Sequence, residues 1–130
     1  MFSSVLAIGF GAALGANCRW LLGLALNPLF TGVPFGTLTA NWLGSYLIGL
    51  AIPGLNALSI ASPEIRVFVI TGFLGALTTF SSFSAEMVSL IQEGRFGWAG
   101  AGILLHVIGS LSLTMLGIYT MHLLRQWGAQ

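Results

Sequence analysis

The sequence predicts an all-α integral membrane protein of four spans, the third broken near its middle, and three observations predict it. Only 5% of the 130 residues are charged and 56% are apolar, where an average soluble domain carries roughly 25% charge; mean hydropathy is +0.96. At about 20 residues per span plus short loops, this length holds four helices and no second domain. Within the third apolar stretch, residues 72–86 read GFLGALTTFSSFSAE, placing two glycines and a run of hydroxyls where a bilayer is driest. Irregular backbone survives at that depth only if it is buried in protein or lines a wet cavity, because each unpaired N–H or C=O costs several kcal/mol. The stretch therefore points to an ion path.

The small charge set excludes other classes. Arg19, Arg66, Arg95 and Arg125 stand against Glu64, Glu86 and Glu93 for a net charge of +1, so no basic patch awaits nucleic acid. Cys18 is alone, which rules out an internal disulfide and leaves a small packing residue. The opening MFSSVLAIGF has no basic stretch and no small-residue cleavage site, so it is read as a retained first helix. No nucleophile with a base and no metal-ligand cluster suggests an enzyme.

The first span is expected over residues 2–26. Gly11 and Gly15, extended by Gly9 and Ala12, form a GxxxG face that lets another backbone approach closely. Asn17 and Arg19 put polar groups in its later third, where Arg19 either snorkels to the interface or turns inward to a wet mouth. NPLFTGVP at 27–34 is a tight loop. The second span is expected over 35–58, with Pro53-Gly54 ending or kinking it before a short tail to Ser59. Thr37, Asn41 and Ser45 recur at i, i+4 and i+8 and share one face. A buried Asn41 amide must find partners, either another helix or a passing ion.

The third span, 63–92, opens with Ser62 as N-cap, Pro63 at the first helical position and Glu64 favourable to the helix dipole. It is expected to unwind near residues 75–79 and restart near Thr79, turning freed carbonyls inward as broken membrane helices do around cations. Phe80 and Phe83 lie one turn apart; they either pack in a core or turn their positive ring edges towards an anion. QEGRFG at 92–97 is a turn. The fourth span, 98–127, is flanked by Trp98 and Trp127 as interface anchors. His106, Ser110 and Thr114 line up on one side of it, either as a polar track or with the hydroxyls bonded back to their own i−4 carbonyls.

With four spans both termini share a side. Arg66 and Arg125 fall there, Arg19 and Arg95 on the other, and two against two gives no orientation preference. Two oppositely inserted copies can then pair about a two-fold axis in the membrane plane, which predicts an antiparallel homodimer of dual topology.

GFGAALGANCRW, GTLTANWLGSYLIG and above all GFLGALTTFSSFSAE resemble the signatures of the Fluc (CrcB-type) fluoride channels, over essentially the whole chain. The resemblance implies small antiparallel homodimers in the inner membrane that conduct fluoride passively out of the cytoplasm and lower its toxicity. It implies an ion pathway through Asn41, Phe80, Phe83, His106, Ser110 and Thr114, with Arg19, Thr79, Ser81 and Glu86 in vestibule or supporting positions. A structural sodium (Na+) at the dimer centre is implied as well, held by the main-chain carbonyls of Gly75 and Thr78. His106 stands where relatives often carry Tyr. The alternative is a proton-coupled multidrug exporter, also four spans with dual topology, but such exporters use a carboxylate deep in the first helix and this first span has none.

Overall fold

A computed structural model describes residues 1–57 and 61–128. Its helices form four stretches long and apolar enough to cross a membrane, Phe2–Leu29, Phe35–Ala57, Pro63–Gln92 and Phe96–Gly128. The chain is thus an all-α, multi-pass membrane protein. Leu, Ile, Phe and Trp side chains are exposed along every span, as expected where the surroundings are hydrocarbon and burial gains nothing over lipid contact.

Helix α1 (Phe2–Leu26) is followed by a single 3-10 turn, Asn27–Leu29. The Asn27 side chain accepts from the Gly36 N–H at 2.7 Å, which supplies one free donor at the start of α2 (Phe35–Ala57) with a partner. Of the two outcomes open at Pro53, ending or kinking, the first does not occur: α2 continues through it to Ala57. Arg66 closes that end, donating to Asn56 Oδ1 at 2.7 Å and to the Leu55 carbonyl at 2.9 Å, so two acceptors of the last turn are satisfied from the next span. Leu58 and the tail to Ser59 lie outside the described residues.

The third span is the composite one. Ser62 caps α3 (Pro63–Arg66), its Oγ accepting the Ile65 N–H at 3.3 Å. Next comes a π-helical segment, Val67–Leu74, then a single α-turn, α4 (Gly75–Leu77). Thr78 and Thr79 are extended, and α5 (Phe80–Gln92) restarts the helix. The break is therefore two residues long and lies after Gly75, which is itself helical. A π-helical run of this length is rare and marks functional or strained segments. It is backed by α1: a Cβ on Gly11 would overlap the Phe68 carbonyl, and one on Gly15 the Phe73 carbonyl. The GxxxG face thus packs on bare backbone of the third span, as its spacing predicts.

Glu93 to Arg95 form the last turn. The Gly94 N–H bonds the Ile91 carbonyl and the Arg95 N–H the Leu90 carbonyl, at 3.0 and 2.8 Å, with Gly94 at φ 74°; this Schellman closure favours glycine. Helix α6 (Phe96–Gly128) begins before the expected Trp98. Its 33 residues span about 50 Å at 1.5 Å each, more than the ~30 Å hydrocarbon core, so its ends extend past the apolar zone. It crosses α2 where Gly49 and Gly117 face each other. Cys18 is exposed.

Candidate functional site

The site is built around the break. Two extended residues leave backbone groups without helical partners at membrane depth, and a side chain of α2 meets them. Asn41 Oδ1 accepts the Thr79 N–H at 2.7 Å, and Asn41 Nδ2 donates to the Thr79 carbonyl at 3.0 Å. The same Nδ2 lies 3.1 Å from His106 Nδ1 on α6. One amide therefore ties three spans together. Of the two readings open for Asn41, helix glue is realised, and both of its N–H donors are used.

Hydroxyls complete the restart of the helix. Thr79 is the N-cap of α5, its Oγ1 accepting the Ser82 N–H at 3.1 Å. Oγ1 also contacts Ser81 Oγ at 3.3 Å and donates to Ser82 Oγ at 3.2 Å. Arg19 turns inward and reaches Ser82 Oγ at 3.5 Å. Thr78 folds back instead, both its N–H and its hydroxyl donating to the Leu74 carbonyl, and its methyl lies against Gly44, where any Cβ would collide with it.

A groove of about 560 Å³ runs along this face, lined by Asn41, Thr78, Thr79, Phe80, Phe83, His106 and Ser110 among others. Phe80 is 77% exposed while Phe83 is 7% exposed; their rings meet edge-on, 5.4 Å between centroids. Phe83 also lies against the His106 imidazole at 4.5 Å. Gly75 borders the groove. Thr114 does not: its hydroxyl is shared between the Ser45 and Ser110 carbonyls at 3.1 and 3.0 Å. Glu86 lies one turn beyond Phe83 and accepts from the buried Thr37 hydroxyl at 2.5 Å. Its other oxygen and His106 Nε2 are buried polar atoms without a partner among the described residues.

Thr37 and Ser82 hold Glu86 and Arg19 but were not among the expected site residues. Thr37 had a signal, its place on the stripe with Asn41. Ser82 had only its membership of the hydroxyl run.

The structural sodium expected at Gly75 and Thr78 is overturned. Among the described residues no group of three or more His, Cys, Asp or Glu side chains could hold a metal ion. At the break itself Gly75 is helical rather than unwound, and the neighbouring Thr79 carbonyl is taken by the Asn41 amide.

A membrane helix interrupted at depth, with its freed backbone held by a neighbouring side chain beside an open groove, belongs to the class of membrane transport proteins. The chain is a member of the CrcB-like protein family (Camphor Resistance, CrcB), whose sequence profile matches residues 6–118. It is 60% identical over 128 residues to a protein of Chromohalobacter salexigens named fluoride-specific ion channel FluC, covering 98% of this chain and 97% of that one. Proteins of the same name from Tolumonas auensis and Pseudomonas aeruginosa are 58% and 56% identical, over 97% and 94% of this chain and 99% and 96% of theirs.

Proposed function

We propose that this chain is a fluoride-selective channel of the inner membrane, which lets fluoride leave the cytoplasm down its gradient and so limits its toxicity. The observation that carries the reading is similarity above 55% to fluoride-specific channels over nearly the full length of both chains. It is a transport protein and not an enzyme. The 130 residues act as a single four-helix domain, and two copies inserted head-to-tail form the working unit; the balance of Arg66 and Arg125 against Arg19 and Arg95 supports that dual topology.

Fluoride is small and strongly hydrated, so its path must replace lost water at every step. Phe80 and Phe83 offer ring edges of positive potential, while His106 and Ser110 add polar groups in the same groove. Asn41 stands in the wall, Thr114 one helical turn beyond Ser110 on α6, Arg19, Thr79 and Ser81 around the break, and Glu86 one turn beyond Phe83. None of the groove residues is a fixed cation. Conduction requires sites weak enough to release the ion.

The test is reconstitution. Purified protein in liposomes under a potassium diffusion potential is expected to pass fluoride without proton coupling, as read with a fluoride electrode. Absence of fluoride flux, or proton flux that depends on an added drug, overturns the reading. For the dimer, labelling of a terminal cysteine is expected from both sides of the membrane; labelling from one side alone refutes dual topology.

A further inference from the structure

Resting on the channel reading, we infer that Asn41 is a positioning residue which fixes His106 as the neutral Nε2–H tautomer, and that this N–H is the groove's donor to the passing anion. The orientation of the Asn41 amide is not free. The Thr79 N–H can only donate, so the atom 2.7 Å away must be Oδ1; the Thr79 carbonyl can only accept, so the atom 3.0 Å away must be Nδ2. The second hydrogen on Nδ2 then points to His106 Nδ1 at 3.1 Å. A nitrogen that accepts cannot carry a proton, so the single imidazole proton resides on Nε2.

Among the described residues that proton finds no acceptor. His106 is 4% exposed, and Nε2 is buried without a hydrogen-bond partner. An orphaned buried donor is costly and calls for an explanation. His106 shares the groove with Phe80, Phe83 and Ser110, and its ring stacks at a tilt on Phe83. An anion that enters beside Phe83 is thus offered an N–H for which the described residues supply no acceptor. Because the ring stays neutral, it donates without the attraction of a full charge, in keeping with rapid release. The other buried orphan among the described residues, Glu86 Oε2, makes no hydrogen bond to Nε2.

The break thus sets the chemistry of the groove: Thr79 orients Asn41, and Asn41 orients the proton of His106. Asn41 itself has no N–H left for the ion.

The experiment is nitrogen NMR on the full-length protein in lipid nanodiscs with ¹⁵N-labelled histidine, with the signals of His106 and His122 separated by a His106→Phe sample. The expected spectrum has a bare Nδ1 and a protonated Nε2 for His106, and sodium fluoride moves the Nε2 resonance while sodium chloride at equal concentration does not. Asn41→Asp replaces the donor facing Nδ1 by an acceptor and is expected to move the proton to Nδ1 or to protonate both nitrogens. In liposomes His106→Phe is expected to lower fluoride flux at least tenfold with the dimer intact by gel filtration. A wild-type Nδ1–H tautomer overturns the inference, as does an Nε2 resonance that responds to Glu86→Gln but not to fluoride. Wild-type protein that passes no fluoride sinks the channel reading instead, since the tautomer is read without any flux.

Discussion

The Asn41 side chain and the Thr79 main chain exchange two hydrogen bonds, N–H to Oδ1 at 2.7 Å and Nδ2 to carbonyl at 3.0 Å. A side chain on one span here takes the place of the helical partners that the break in another span has removed. Asn41→Ala leaves both Thr79 groups without partners, at about 1–3 kcal/mol for each orphaned buried group. The expected outcome is a lower thermal midpoint in detergent, together with at least a tenfold loss of fluoride flux. Flux at the wild-type level would mean that the break holds itself open without Asn41.

Phe80 and Phe83 separate by exposure, although sequence spacing makes them equivalent. Phe83 packs with Val33, Met87, Leu90 and Ala99 in a buried cluster, and Phe80 projects into the groove. Both Phe80→Ile and Phe83→Ile are expected to abolish fluoride efflux from liposomes. Only Phe83→Ile is expected to lower the stability of the folded chain, by about 1–3 kcal/mol, because it alone changes the shape of a packed cluster. Unfolding curves in detergent would distinguish them; equal losses of stability contradict the assignment of Phe80 to the open face.

The helices were legible because their signals are local. The Ser62-Pro63 start, the glycine and hydroxyl run before Phe80 and the Gly94 turn each act within a few residues. What escaped depends on the register of one span against another. The π-helical segment Val67–Leu74 is backed by two glycines of α1, a relation that no periodicity within the third span can express. Arg19 had two open readings until Ser82 was found opposite it. Thr114 sits on the same stripe as His106, yet its hydroxyl is shared between a carbonyl of α2 and its own i−4 carbonyl. A row of polar residues on one helix gives the candidates, and the facing helix decides which of them remain free.

Gly15 and Gly9 lie on the same helix and carry opposite expectations. A Cβ at Gly15 would overlap the Phe73 carbonyl, a backbone atom that cannot turn aside, whereas at Gly9 nothing lies within 4 Å. Gly15→Val is expected to destabilise the protein by at least about 1–3 kcal/mol, the usual cost of overpacking, and to leave little monodisperse material on gel filtration. Gly9→Ala is expected to purify and conduct as the wild type does. A well-behaved Gly15→Val protein would mean that α1 does not seat on the third span in this register.

Thr37 and Glu86 form the remaining polar contact beside the groove. Thr37, a residue 7% exposed, donates its hydroxyl to Glu86 Oε1 at 2.5 Å, while Oε2 has no partner among the described residues. Thr37→Val keeps the shape and removes the donor, so the whole carboxyl group loses its hydrogen bonds, at about 1–3 kcal/mol. Thr37→Ser keeps the donor and is expected to stay much closer to the wild type. If the loss flows through Glu86, it must shrink once Glu86 is gone: in a Glu86→Leu background, Thr37→Val is expected to cost less, with a coupling of about 0.5–3 kcal/mol. Thermal unfolding of the four proteins in one detergent completes the cycle. Strictly additive costs would show that the two side chains touch without supporting each other, and that the hydroxyl serves α2 alone.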